Sequence, residues 1–177
     1  NIPSINVGFD YHFGNKTSIQ NKTRPSRPDS AFHIEVSAAY TFHEIYPVGG
    51  KKYHTKNVSI STLKRINFKS SLLASVDYFH NPAIKAELAR EDIHVSNGWG
   101  SSQIGISFGH YLHFGKFSMG NNIGYYLKNE NIFLRRTYIG VSGNYQVNDK
   151  LKAFTNLKTH LAKAEYLLLG FRYRLLR

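Results

Sequence analysis

At 177 residues the chain can bury one sizeable core as a single domain, and its 41% hydrophobic content contains no run near the ~20 apolar residues that a membrane helix needs, which excludes a helical membrane protein. The absence of cysteine removes disulfides, thiolate nucleophiles and the usual structural zinc sites. A formal charge of +12 admits three kinds of partner: nucleic acid, phosphorylated lipid headgroups or an acidic protein. The chain opens Asn1-Ile2-Pro3 with no apolar signal core, so any export signal is expected to have been removed or to lie outside this piece.

In chain order the first pattern is strand-like: Ile5, Val7, Phe9, Tyr11 and Phe13 alternate with Asn6, Gly8, Asp10 and His12. A basic stretch over 14–30, with Lys16, Lys22, Arg24 and Arg27, reads as a long loop. Its Asn-Lys-Thr triplets at Asn15 and Asn21 match the spacing of a glycosylation acceptor, a short pattern common by chance. Then Phe32, Ile34, Val36, Ala38, Tyr40 and Phe42 alternate with His33, Glu35, Ser37, Ala39, Thr41 and His43. Weaker strands are expected near 58–63 and 72–79, followed by a long polar loop over 80–100.

Clear alternation resumes with Ile104, Ile106 and Phe108 facing away from Gln103, Gly105, Ser107 and Gly109. Phe117, Met119, Ile123, Tyr125 and Leu127 continue it, Asn121 being the exception, and Ile139, Val141, Tyr145 and Val147 follow. Leu151, Ala153, Leu157 and Leu161 oppose Lys152, Asn156, Lys158 and His160; last, Leu167, Leu169, Phe171, Tyr173 and Leu175 oppose Gly170, Arg172 and Arg174.

The runs reach about 9 to 13 residues, longer than most soluble strands and long enough to cross a bilayer with tilt. They predict an all-β, antiparallel transmembrane barrel of the outer membrane, with about 8 to 10 strands in a single domain over 1–177. Counting the opening segment gives about nine strands, whereas single-chain bacterial barrels have even counts; the expectation is that N-terminal strands are missing and the chain is part of a larger barrel, or that one weak strand is miscounted. Short turns at 113–116 and 147–150 are placed on the periplasmic side with a turn near 65–67, and 80–100 on the outer side.

Three residues are candidates for catalysis. His160 is expected on the lumen face beside Lys158, near the outer end of its strand, with Glu165 as the nearby acid; a lone His beside Lys is more often structural. His94 and Ser96, in His94-Val95-Ser96-Asn97, would share a strand face as a base and its serine must, although an ordinary polar loop is the plainer reading. His110 and His113 fall on opposite faces, which argues against a shared metal, and no metal or cofactor is expected. Basic residues form no compact stripe, so nucleic acid is not expected as a partner.

The closing segment, Leu157-Lys158-Thr159-His160-Leu161-Ala162-Lys163-Ala164-Glu165-Tyr166 followed by Leu169-Gly170-Phe171-Arg172-Tyr173-Arg174, resembles the end of barrels of the acyloxyacyl hydrolase family, relatives of the outer-membrane lipid A deacylase. Residues 1–13 are similar to the strand that follows that family's His-x-Ser-Asn motif. The resemblance implies a serine esterase acting on acyl chains of lipopolysaccharide, with an acidic residue orienting the His. The chain departs from it in having Ala162 where the serine should stand after His160, and in placing its one His-x-Ser-Asn, at His94, in a different strand context. Two functions follow: an esterase completed by residues elsewhere, or a non-catalytic barrel serving as subunit or docking partner in an outer-membrane complex. A transport pore is a third, weaker option.

Overall fold

The computed structural model describes residues 32–44, 49–93, 100–130, 135–160 and 163–176, so the expected strand over 5–13, the basic stretch over 14–30 and both His94 and Ser96 lie outside the described residues. Eight strands are described: β1 (Phe32–Glu44), β2 (Lys52–Asn67), β3 (Ser70–His80), β4 (Ser102–Phe114), β5 (Phe117–Lys128), β6 (Thr137–Gln146), β7 (Leu151–His160) and β8 (Lys163–Leu176). Each pairs antiparallel with its sequence neighbour, and β1 pairs with β8, so these eight close into a barrel. An even count puts both ends of the barrel sequence, Phe32 and Leu176, at one rim. That rim also carries the turns at 68–69, 115–116 and 147–150, and by the usual rule for such barrels it faces the periplasm.

The alternation inverts the soluble rule: apolar side chains point outward and polar ones inward. Phe108 and Ile123 are each 66% exposed and Leu169 is 62% exposed, whereas Glu35, Ser107 and Ser142 on the inner face are buried. A water-soluble protein would not present apolar residues on the outside of every strand, and a lipid-facing band requires it. Among the described residues no helix is long and apolar enough to cross a membrane. The fold is a transmembrane β-barrel of the outer-membrane type.

Two expectations change in detail. The two weak strands are full ones, β2 and β3, and their turn falls at 68–69 rather than 65–67. Within 80–100, Pro82–Arg90 form the helix α1, capped by Asn81, whose side chain accepts the Ala83 N–H at 3.1 Å. Asn at the cap with Pro in the first turn fixes the start of this helix. Ala83, Ile84 and Leu88 bury its inner side at the outer rim.

The lumen is packed rather than open. Phe79, Tyr126, Tyr138, Phe154, Tyr166, Leu168 and Ala39 form an apolar layer toward the outer end, and Leu63, Leu73 and Tyr111 form one toward the inner end. Glycines make room for the rings: a Cβ on Gly124 would lie 2.0 Å from the Tyr138 ring, and one on Gly120 would lie 2.4 Å from the Tyr111 ring. The cavity left between the layers is about 40 Å³, space for a few waters and too small for a solute passage.

Candidate functional site

β7 and β8 form the hairpin that carries His160, and their register holds the key to the site. Lys158 pairs with Tyr166 and Thr159 with Ala164, so Glu165 is an extra residue in β8, a bulge. Strict alternation would place Glu165 on the lipid-facing side with Leu167. The bulge instead lets Glu165 and Tyr166 both turn inward, and the Glu165 side chain is only 7% exposed.

Glu165 Oε2 then lies 2.9 Å from His160 Nε2 and 3.0 Å from Lys158 Nζ. The second ring nitrogen of His160, Nδ1, faces the Thr137 carbonyl at 3.0 Å, and the ring stacks on Tyr126 at 5.9 Å between centroids. Lys158 also donates to Tyr166 Oη at 2.7 Å, and its ammonium sits 4.1 Å from the Phe79 ring and 4.8 Å from the Tyr166 ring. A buried lysine is tolerated here because a carboxylate and aromatic faces together replace its water.

Asn81 ties α1 to this group. Its Oδ1 accepts from Ala83 N–H and from the Thr55 hydroxyl, both at 3.1 Å, and its Nδ2 donates to His43 Nδ1 at 3.2 Å and Glu165 Oε1 at 3.5 Å. Deeper in the lumen Tyr138 donates to Asp77 at 2.6 Å. Toward the inner end of the lumen Glu35 faces Lys152 at 2.5 Å, Arg174 at 3.8 Å and Arg172 at 3.9 Å.

The structure thus brings together His160, Lys158 and Glu165, as sequence proximity offered, and has Lys158 and His160 share one Glu165 oxygen. A His–carboxylate contact at 2.9 Å has the geometry of a base and its orienting acid. A general base, however, needs one ring nitrogen free to take a proton from a nucleophile. Both nitrogens of His160 face oxygen acceptors, and among the described residues no serine or threonine hydroxyl bonds to it. His110 and His113 sit on different strand faces, bonded to Ser70 at 2.5 Å and Ser71 at 2.8 Å. No group of three His, Asp or Glu side chains is gathered as a metal would require among the described residues.

Sequence reasoning missed the depth of the site. The lumenal tyrosines Tyr126, Tyr138 and Tyr166 sit on faces that alternation marks as polar, and Asn81 falls in what reads as a loop. Asn81-Pro82 was the available signal for a helix start. The bulge at Glu165 has no sequence signature of its own.

Residues 33–177 match the family described as acyloxyacyl hydrolase, C-terminal domain. No curated protein matched the chain. Because the match spans seven of the strands entirely and all but the first residue of β1, the chain belongs to this acyloxyacyl hydrolase family of lipid A deacylase-like outer-membrane barrels.

Proposed function

We propose that this chain resides in the outer membrane as a barrel of the lipid A deacylase-like family that does not cleave acyl esters through its His160 hairpin, and that it serves as a structural or docking subunit. The observation that carries this reading is the commitment of the would-be base: His160 bonds Thr137 O and Glu165, and Glu165 is shared with Lys158. The Ala at position 162, where the resemblance expects a serine, agrees with it. A lysine locked onto the orienting carboxylate holds it as half of an ion pair, which suits a stable plug better than a proton relay.

The test is incubation of folded protein in detergent with lipid A, followed by mass spectrometry. Unchanged lipid A is expected. Release of a fatty acid that is lost on His160→Gln would overturn the reading.

The 2.9 Å His160–Glu165 contact favours one competing reading, a serine esterase whose hydroxyl comes from the α1–β4 connection, where Ser96 stands beside His94 in sequence. In that case fatty acid would be released and Ser96→Ala would abolish it.

A further inference from the structure

The outward face of β2 changes character along its length. From the inner rim it reads Ile66, Lys64, Thr62, Ile60 and Val58, and then, toward the outer rim, Lys56, His54 and Lys52, all three exposed. Lys64 and Lys56 are eight residues apart, about 26 Å of strand or about 20 Å along the membrane normal at a tilt of ~40°. Between them the outward face carries Thr62, Ile60 and Val58, so Lys56 stands where the apolar run of this strand ends toward the outer rim, at the depth expected of the outer headgroups, with His54 and Lys52 above it.

Among the described residues no carboxylate pairs with Lys52 or Lys56. The acid opposite Lys52 in the register, Glu44, is turned onto backbone instead: it accepts from Gly49 N–H and, at 3.1 Å, from Gly50 N–H. His54 is held by the Tyr40 hydroxyl and packs on Phe42 at 5.1 Å, so its ring is fixed between the two lysines on the same face. Lys56 and Tyr40 also line the upper edge of an apolar groove of about 620 Å³ over Ala38, Val58, Leu169 and Phe171.

We propose that Lys52, His54 and Lys56 form a binding site for the phosphate of a phosphorylated lipid in the outer leaflet, with its acyl chain in the groove beneath. The site is on the lipid-facing wall of β1–β2 and uses none of the lumenal His160 group. Charge, depth and the apolar floor select a lipid over a soluble anion, since a free phosphate would use the cations and leave the groove empty. The proposal rests on the outer-membrane reading above but not on whether the chain cleaves ester bonds.

Native mass spectrometry of the full chain in neutral detergent, supplied with bisphosphorylated lipid A, tests it. The wild-type barrel is expected to retain one lipid, and Lys52→Gln/His54→Gln/Lys56→Gln to retain it about thirtyfold less, from the contribution of the two lysines at an anionic membrane surface. Lys64→Gln/Lys116→Gln, at the opposite rim, should retain it as the wild type does. Dephosphorylated lipid A should be held poorly by every variant. Equal retention by the triple variant, or equal retention of the dephosphorylated lipid, would overturn the site; heat-modifiable migration confirms that each variant is folded. Fatty-acid release during the experiment would count against the non-cleaving function and leave the site standing.

Discussion

The outer and inner halves of the lumen solve the same problem differently. At the outer end each charge has a close partner: Lys158 and His160 share Glu165 within 3.0 Å, aromatic rings enclose the ammonium, and Asn81 closes the group from above. At the inner end Glu35 faces three cations, of which only Lys152 is close, and the Nε atoms of Arg172 and Arg174 have no hydrogen-bond partner among the described residues. In the outer group Lys158, His160 and Glu165 are all closely partnered, and their side chains are only 1–7% exposed. The inner one is under-neutralised and opens toward the rim, the Arg174 side chain being 27% exposed. Close pairing of every charge at the outer end suits the structural plug proposed above, whereas the inner end leaves its cations only partly neutralised.

The largest effect expected is from Glu165→Ala. Removing the carboxylate leaves Lys158 buried and uncompensated, a loss of about 3–5 kcal/mol. Urea unfolding of the barrel in detergent, followed by circular dichroism, measures it. Replacing both partners, as Lys158→Met/Glu165→Gln, should recover most of that loss, because an apolar side chain suits the ring of Phe79, Tyr126, Tyr138 and Tyr166. If the double variant is as unstable as the single one, the outer group is not an isolated ion pair and the contrast between the two ends fails.

Glu35→Gln should cost less, about 1–3 kcal/mol, although three cations lose their carboxylate. Lys152 and Arg174 reach water at the rim, and Arg172 keeps the Tyr111 hydroxyl at 3.0 Å and the Phe154 ring at 4.8 Å. Added salt should shrink the Glu35→Gln loss by screening the remaining like charges, and should leave the Glu165→Ala loss nearly unchanged, since buried groups are screened less. Equal salt dependence at the two positions would erase the distinction drawn between them.

How much of this was legible beforehand follows the range of the forces involved. Side-chain alternation is local, so the outward faces of β1, β4, β5, β6 and β8 could be read directly, as could the lumenal position of His160. The pairing of Glu35 with Lys152, 117 residues apart, depends on closure of the ring and leaves no local mark. Glu165 is the sharpest case: two-residue periodicity assigns it to the lipid side, and only the bulge opposite Lys158–Thr159 turns it inward. Alternation also labels a face polar without saying that tyrosines will fill it. In a narrow barrel the lumen must be packed, and Tyr126, Tyr138 and Tyr166 do so with rings while keeping a hydroxyl for the polar network.

The smallest of these effects is expected at Asn81, and it separates the cap from the crosslink. Asn81 performs two tasks: its Oδ1 caps α1 through Ala83 N–H, while its Nδ2 reaches Glu165 and His43 on other strands. Asn81→Ala removes both, with about 1 kcal/mol lost through the cap. Asn81→Ser retains a cap oxygen but is too short to reach Glu165. Amide hydrogen exchange over 82–90 should therefore quicken in the Ala variant and stay near wild type in the Ser variant. Both variants should loosen the outer group to the same degree, read as exchange at the outer ends of β7 and β8. Should the Ser variant leave those strand ends unchanged, the 3.5 Å contact between Asn81 and Glu165 contributes nothing, and the outer network is sealed by Lys158 and the aromatic layer alone.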